Sequence, residues 1–169
     1  IGAGPASLAC AHELRVRGHA CTIYEKREYV GGLNTTGVAP YKMRADRSLD
    51  EVEWVLAIGG IDVATGVEIG PDITFERLES DFDAVFLGVG LGPDRTLCGD
   101  ELDGVFGAVD YIEQLKLSEV SLDGVREAVV VGGGNTAIDA VRQLLGLGVP
   151  TVTMIYRGVE EKMSGYAHE

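Results

Sequence analysis

Short runs of apolar residues alternate with amphipathic stretches along the chain, and this pattern predicts buried parallel strands separated by helices. Residues 128–131 and 152–156 are two such apolar runs. Between them, apolar residues recur three and four positions apart over 135–147, which predicts a helix with one buried face. The order of strand, helix and strand is the unit from which doubly wound α/β sheets are built.

This unit occurs twice, which is the strongest organisational signal in the sequence. The glycine-rich turn at Gly132 repeats the turn at Gly2, and Gly148 repeats Gly18 with the same offset. The first copy opens directly on its glycine turn, and the chain ends soon after the second strand of the second copy. One such unit cannot cover both faces of a doubly wound sheet, so we interpret the chain as a fragment truncated at both ends.

The region between the two copies carries shorter signals. A capping-box pattern, Ser-Leu-Asp-Glu at 48–51, marks a helix start, and a glycine interrupts an apolar stretch further on. The predicted elements are a helix from Ser48 to Ile58, two short strands within 61–69 joined at Gly66, a short helix over 74–80, a buried strand over 83–89 and a helix over 109–117.

The first glycine turn matches a dinucleotide-binding fingerprint, G-x-G-x-x-S, beginning at Gly2. The first glycine allows a tight turn, the second lets the backbone approach a pyrophosphate, and the third position must be small so that helix and strand can pack. Glu25 closes the next strand, about 20 residues on, where a carboxylate binds the ribose hydroxyls. The predicted nucleotide contacts are Gly2, Gly4, Pro5, Ala6 and Glu25.

A glycine pair follows this acid and favours FAD as the first nucleotide. Such a pair lets the chain wrap the ribose and pyrophosphate from the other side. Residues 33–36, directly after the pair, contain no cysteine, whereas a disulfide-relay flavoenzyme of the glutathione-reductase type has cysteines there. The contacts predicted in this segment are Lys26, Gly31, Gly32 and Leu33.

The second glycine turn, G-x-G-x-x-A from Gly132, predicts a second nucleotide site. We align Arg157 with Glu25, and an arginine there binds a 2′-phosphate that a carboxylate would repel, so this site tolerates or prefers NADP. Asp139 either orients the loop, approaches the nicotinamide side or is an ordinary polar helix residue. The predicted contacts are Gly132, Gly133, Gly134, Asn135, Thr136 and Arg157.

Composition narrows the environment and the partners. The net charge of −13 disfavours nucleic acid and anionic membrane surfaces, and no apolar run approaches the roughly 18 residues that span a bilayer. Cys10, Cys21 and Cys98 have no C-x-x-C spacing, which predicts a cytoplasmic protein without a disulfide relay. We assign no catalytic side chain and no metal ligand in this chain.

The runs IGAGPAS, EKREYVGGL, APYKM, DAVFLGVG, GGGNTAIDA and IYR resemble, in this order, the small subunit of bacterial glutamate synthase. They are equally similar to the FAD/NADPH portion of dihydropyrimidine dehydrogenase. The resemblance implies iron–sulfur clusters in the parent protein outside this fragment, and an NADPH domain inserted within the FAD domain. It also implies FAD contacts at Lys42, Ile69 and Gly90. Gly158 departs from the family's second basic residue, which leaves NAD possible.

Together these observations predict an α/β fold with two Rossmann-like dinucleotide-binding domains. We assign 1–97 to an FAD domain, 98–127 to a crossing segment and 128–169 to the start of an NAD(P)H domain. The expected function is an NAD(P)H-dependent, FAD-containing oxidoreductase that passes hydride to the flavin and electrons to an iron–sulfur cluster or a partner subunit. The alternatives are a truncated, non-catalytic nucleotide-binding module, an electron-input subunit of the dihydropyrimidine dehydrogenase type, or a dehydrogenase without flavin.

Overall fold

The computed structural model describes residues 1–92, 102–118 and 120–165. The chain divides into two units: the first comprises Ile1–Val38 and Lys42–Pro93, and the second comprises Ala39–Tyr41 and Asp94–Glu169. The sequence did not predict that residues 39–41 group with the second unit. The predicted boundary at 97/98, and Cys98 with it, lies outside the described residues.

The secondary structure follows the predicted alternation of helices and strands. In the first unit the elements are α1 Pro5–Val16, β1 Cys21–Glu25, α2 Leu33–Thr36, α3 Ala45–Leu56, β2 Ile61–Thr65 and α4 Phe75–Asp81. In the second unit they are α5 Ala108–Leu117, β3 Glu127–Val131, α6 Asn135–Gly146, β4 Thr151–Ile155 and a 3₁₀ turn at Glu160–Lys162.

The first unit is built on parallel pairing around the start of the chain. β1 pairs with β2 in parallel, from Cys21 opposite Ile61 to Glu25 opposite Thr65. On the other side of β1, the Gly2 N–H donates to the Tyr24 carbonyl at 2.8 Å. The Ile1 nitrogen donates to the Phe86 carbonyl at 2.7 Å, and the Gly88 N–H donates to the Ile1 carbonyl at 2.9 Å. The spatial order β2, β1, residues 1–2 and residues 86–88 is that of a doubly wound sheet.

A small apolar core holds α1 against this sheet. Ala3, Leu8, Ala11, Ile23 and Val52 are buried and form one cluster. They come from four parts of the unit: the glycine loop, α1, which supplies both Leu8 and Ala11, β1 and α3. Because Ala3 lies in the glycine loop itself, packing of this core fixes the loop relative to α1 and β1.

The prediction of a buried strand over 83–89 is wrong, because this segment is largely exposed. The segment hydrogen-bonds to Ile1 through Phe86 and Gly88, but it does not form a regular strand. Phe86, Leu87 and Val89 are 46%, 60% and 66% exposed. An apolar run expresses a preference for strand and burial, but burial also needs packed elements on both faces of the strand, which the run itself does not supply.

Two other predictions near α3 and β2 need correction. The helix begins at Ala45 after an extended Arg44, not at Ser48, and no side chain caps it. Ser48 lies inside the helix, where its hydroxyl bonds to Thr35 instead of a helix N–H. The second strand predicted within 61–69 is replaced by an isolated bridge between Ile69 and Ile73.

The second unit contains one complete strand–helix–strand crossover. β3 and β4 pair in parallel, from Glu127 opposite Thr151 to Val131 opposite Ile155, and α6 connects them. α6 packs on both strands and on α5, whose Ile112 is fully buried. Among the described residues, no helix is long and apolar enough to cross a membrane.

Candidate dinucleotide-binding sites

The first glycine turn has the geometry that the fingerprint requires. Gly2 has φ +86°, and a Cβ there would lie 2.6 Å from the carbonyl oxygen of Gly88. Gly4 precedes α1, whose first turn contains Pro5 but no acidic residue and no side-chain cap. The N-terminus of α1 therefore presents backbone N–H groups and a positive dipole end without a competing carboxylate in that turn.

Glu25 lies beside this turn, buried at 9% exposure. One carboxylate oxygen accepts a hydrogen bond from the Ala3 N–H at 2.7 Å, and the other accepts from the Arg27 N–H at 2.9 Å. A carboxylate has about four lone-pair positions, so two backbone donors leave acceptor capacity for hydroxyl groups. Glu25 thus organises the glycine loop in addition to the ribose contact predicted for it.

The glycine pair meets the fingerprint in space. The Gly31 N–H donates to the Ala3 carbonyl at 2.8 Å. Gly31 and Gly32 have φ +94° and +56°, and a Cβ on Gly32 would lie 2.9 Å from the Cα of Gly4. The fold therefore brings two backbone segments without side chains into contact beside a buried carboxylate.

The other residues predicted for the first site lie at varied places. Val67 donates its N–H to the Glu25 carbonyl at 3.0 Å, so the segment leading to the half-buried Ile69 runs beside the end of β1. Gly90 is exposed, and a Cβ there would meet nothing within 4 Å. Lys26, Leu33 and Lys42 are exposed. The cofactor contacts proposed for these five residues remain predictions.

The second glycine turn reproduces the first. The Gly132 N–H donates to the Ile155 carbonyl at 2.9 Å, as Gly2 does to Tyr24, and α6 also begins without a side-chain cap or an acidic residue in its first turn. Gly132, Gly133, Gly134, Asn135 and Thr136 form this turn and the start of α6.

These matching hydrogen bonds correct the predicted equivalence of Glu25 and Arg157. Because Tyr24 corresponds to Ile155, Glu25 corresponds to Tyr156, and Arg157 corresponds to Lys26. The sequence repeat matches Tyr24-Glu25 to Tyr156-Arg157, because each pair is a tyrosine followed by a charged residue. The strand hydrogen bonds show that this match is shifted by one residue. Arg157 therefore follows the position of the ribose acid instead of occupying it.

Tyr156 lies at the second glycine turn, a contact that the sequence did not reveal. Its ring lies against the second glycine turn, since a Cβ on Gly133 would be 2.7 Å from its Cδ2 atom. Its hydroxyl donates to the Lys162 carbonyl at 3.0 Å, and the Gly165 N–H donates to the Gly133 carbonyl at 3.0 Å. Segment 160–165 thus folds back over the turn, and an aromatic ring replaces the carboxylate of the first site.

Asp139 has a defined partner within the second unit. The Tyr41 hydroxyl donates to its carboxylate at 2.5 Å, and the Arg142 guanidinium lies 4.1 Å from the centroid of the Tyr41 ring. Asp139 is buried, at 7% exposure. This contact with residues 39–41 was not among the roles predicted for Asp139, and its predicted roles at the glycine loop and the nicotinamide remain predictions.

The two described cysteines are free thiols. Burial raises the pKa of the Cys21 thiol, so this thiol is protonated at neutral pH and is a poor nucleophile. Cys10 is half-buried in α1. Across the described ranges, no group of histidine, cysteine and acidic side chains could hold a metal ion.

Both turns, their helices and their parallel strands define a nucleotide-binding α/β protein. The model of the pyridine nucleotide-disulphide oxidoreductase family matches residues 1–168, and the chain belongs to this family.

Several curated proteins are similar to the chain. NADPH-Fe(3+) oxidoreductase subunit beta of Geobacter sulfurreducens is 35% identical over 170 residues, covering 96% of this chain and 25% of that protein. NADP(+)-dependent formate dehydrogenase subunit beta of Moorella thermoacetica is 36% identical, covering 100% and 24%. The glutamate synthase [NADPH] small chain of Escherichia coli is 36% identical, covering 100% and 38%. The chain therefore spans well under half the length of these relatives.

A solved structure supports the fold. FprA of Mycobacterium tuberculosis in complex with NADPH matches with a TM-score of 0.74 and 24% identity, covering 97% of this chain and 44% of that one. The predicted α/β class and the predicted family are confirmed.

Proposed function

We propose that the parent protein is an NAD(P)H-dependent, FAD-containing oxidoreductase, with FAD in the first unit and NAD(P)H in the second. The observation that carries this proposal is the contact of the Gly31–Gly32 turn with Gly4 beside the buried Glu25 carboxylate. An adenosine diphosphate group needs close backbone approach at its phosphates and an acceptor at its ribose, and these residues offer both.

The residues of the first unit fit FAD. A side chain at Gly32 would fill the space against Gly4, and the start of α1 has no acid to repel phosphate. Gly2, Gly4, Gly32 and Glu25 would hold the nucleotide half of the cofactor. Bound FAD would supply the hydride-accepting chemistry, so we expect no catalytic side chain in this chain.

The proposal is tested on the purified parent protein by its absorbance spectrum and by NADPH-driven reduction of an artificial acceptor. We expect flavin bands that bleach on anaerobic addition of NADPH. A colourless protein that gains no flavin on incubation with FAD would contradict the function.

Beyond the flavin, we propose that electrons pass to an iron–sulfur cluster or to a partner subunit, in the cytoplasm. The support is that similar proteins are named as a beta subunit or a small chain of larger enzymes. Purification of the parent at native expression level, with iron analysis and identification of co-eluting chains, tests this part. A lone protein without iron would contradict it.

We propose that the second site prefers NADPH through Arg157. The residue directly follows Tyr156, which stands where the first unit has its acid, so no carboxylate at that position repels a 2′-phosphate. A charge-assisted pair contributes on the order of 1.5–3 kcal/mol, or roughly ten- to a hundredfold in affinity. Gly158 adds no second cation, so we expect the lower part of this range.

Arg157→Ala should therefore collapse the ratio of kcat/KM for NADPH over NADH while NADH use stays nearly constant. Arg126→Ala is the matched control. It removes the same charge from an exposed residue that precedes β3, whereas the glycine turn of the second site follows β3. Equal losses for both nucleotides in Arg157→Ala would assign it a structural role instead.

A second prediction concerns the thiols. The triple variant Cys10→Ser, Cys21→Ser and Cys98→Ser should keep NAD(P)H-driven reduction of an artificial acceptor, because a protonated, partly buried Cys21 is unsuited to thiol exchange. The measurement is turnover per bound flavin. Loss of turnover in a variant that still binds flavin would show that a thiol takes part.

A further inference from the structure

A buried polar cluster lies behind the Gly31–Gly32 turn. Thr35, Thr36 and Ser48 are 0%, 2% and 3% exposed. The Thr35 and Ser48 hydroxyl oxygens lie 2.8 Å apart and share a hydrogen bond between α2 and α3. Buried hydroxyls are costly unless they are paired, so a pair at this place needs an explanation beyond packing.

This hydroxyl pair contacts the turn directly. A Cβ on Gly31 would lie 2.1 Å from the Thr35 Oγ1 atom and 3.1 Å from the Ser48 Oγ atom. The hydroxyls thus occupy the space in which any other residue at this position would place its side chain. The back of the turn rests on the pair, while Gly32 on its front meets Gly4.

The carbonyl of Gly32 is fixed from the same side. The N–H groups of Thr35 and Thr36 donate to it at 3.0 Å each, and the Thr36 hydroxyl donates at 3.2 Å. Two consecutive glycines with positive φ have great conformational freedom, which must be lost before a ligand can bind against them. The cluster restricts this freedom before any ligand arrives.

We propose that Thr35 and Ser48 are positioning residues for the first nucleotide site, and that their shared hydrogen bond holds the Gly31–Gly32 turn in its binding conformation against Gly4. This inference rests on the proposed FAD function. Preorganisation of this kind contributes to affinity because the ordering of the turn does not have to occur on binding.

The test uses the full-length parent protein in apo form and measures the FAD dissociation constant by titration, together with thermal unfolding of the apoprotein. Thr35→Val keeps nearly the same shape but removes the hydroxyl, and Ser48→Ala removes the other partner. Each should weaken FAD binding about three- to tenfold. The double variant should be little worse than either single variant, because one hydrogen bond is lost in all three.

Two further variants separate positioning from simple destabilisation. Thr35→Ser retains the hydroxyl and should restore near wild-type FAD affinity. Leu78→Ala removes a buried side chain from α4, outside the core cluster that contains Ala3, so it should lower the apoprotein melting temperature while leaving the FAD dissociation constant unchanged.

If wild type and Thr35→Val bound FAD equally tightly, the positioning proposal would be overturned while the proposed FAD function would stand. A loss of FAD affinity in Leu78→Ala that matches the loss in Thr35→Val at equal destabilisation would also overturn the positioning proposal. Wild-type protein that binds no FAD would overturn this proposal together with the proposed function.

Discussion

Replacing Gly32 with alanine is expected to remove FAD binding almost completely. The new Cβ would lie 2.9 Å from the Cα of Gly4. Because both atoms are fixed to the backbone, no side-chain rotation can relieve this collision. Gly32 also has φ +56° and ψ −140°, a conformation that is strained by roughly 1–3 kcal/mol for other residues. Strain and collision together should weaken FAD binding about a hundredfold or more.

The matched control is Gly59→Ala. Gly59 also has a positive φ, +74°, but a Cβ there meets nothing within 4 Å. This variant should lose some stability through the backbone effect alone and keep its FAD affinity. The measurement is flavin content after purification, followed by titration of the apoprotein. If Gly32→Ala bound FAD as tightly as Gly59→Ala, the turn would not face the cofactor.

Glu25→Ala should produce the second large effect, a fall in FAD affinity of at least ten- to a hundredfold, since hydrogen bonds to a charged acceptor are worth roughly 1.5–3 kcal/mol. Besides the loss of the proposed ribose contact, the structure gives a second reason for this fall in FAD affinity. Removing the carboxylate also leaves the N–H of Ala3 without its partner inside the glycine loop, which loosens the loop that would hold the pyrophosphate.

Glu25→Gln distinguishes these contributions. The amide keeps the shape and one acceptor oxygen, so the bond from either Ala3 or Arg27 can persist while the charge is lost. We expect an FAD affinity between those of wild type and Glu25→Ala, with an apoprotein melting temperature close to wild type. Unchanged FAD content in purified Glu25→Ala would exclude Glu25 from the site.

The sequence by itself determined the features that depend on local geometry and on repetition. Gly2 and Gly132 both have a positive φ, which a residue with a Cβ adopts poorly, so the glycines themselves indicate this backbone conformation. The strand–helix–strand order around α6 follows from the apolar periodicity. Since the same pattern occurs twice, two nucleotide-binding units could be predicted without any coordinates.

Features that depend on which residues meet across the fold were decided only by the tertiary structure. The capping pattern at Ser48 failed because a tertiary hydrogen bond to Thr35 competes with the local one. Tyr156 took the place of the acid because strand hydrogen bonds, not the order of residue types, set the register of β4 against the glycine turn. The apolar run at 83–89 remained exposed because burial requires a covering element, which a local pattern does not encode.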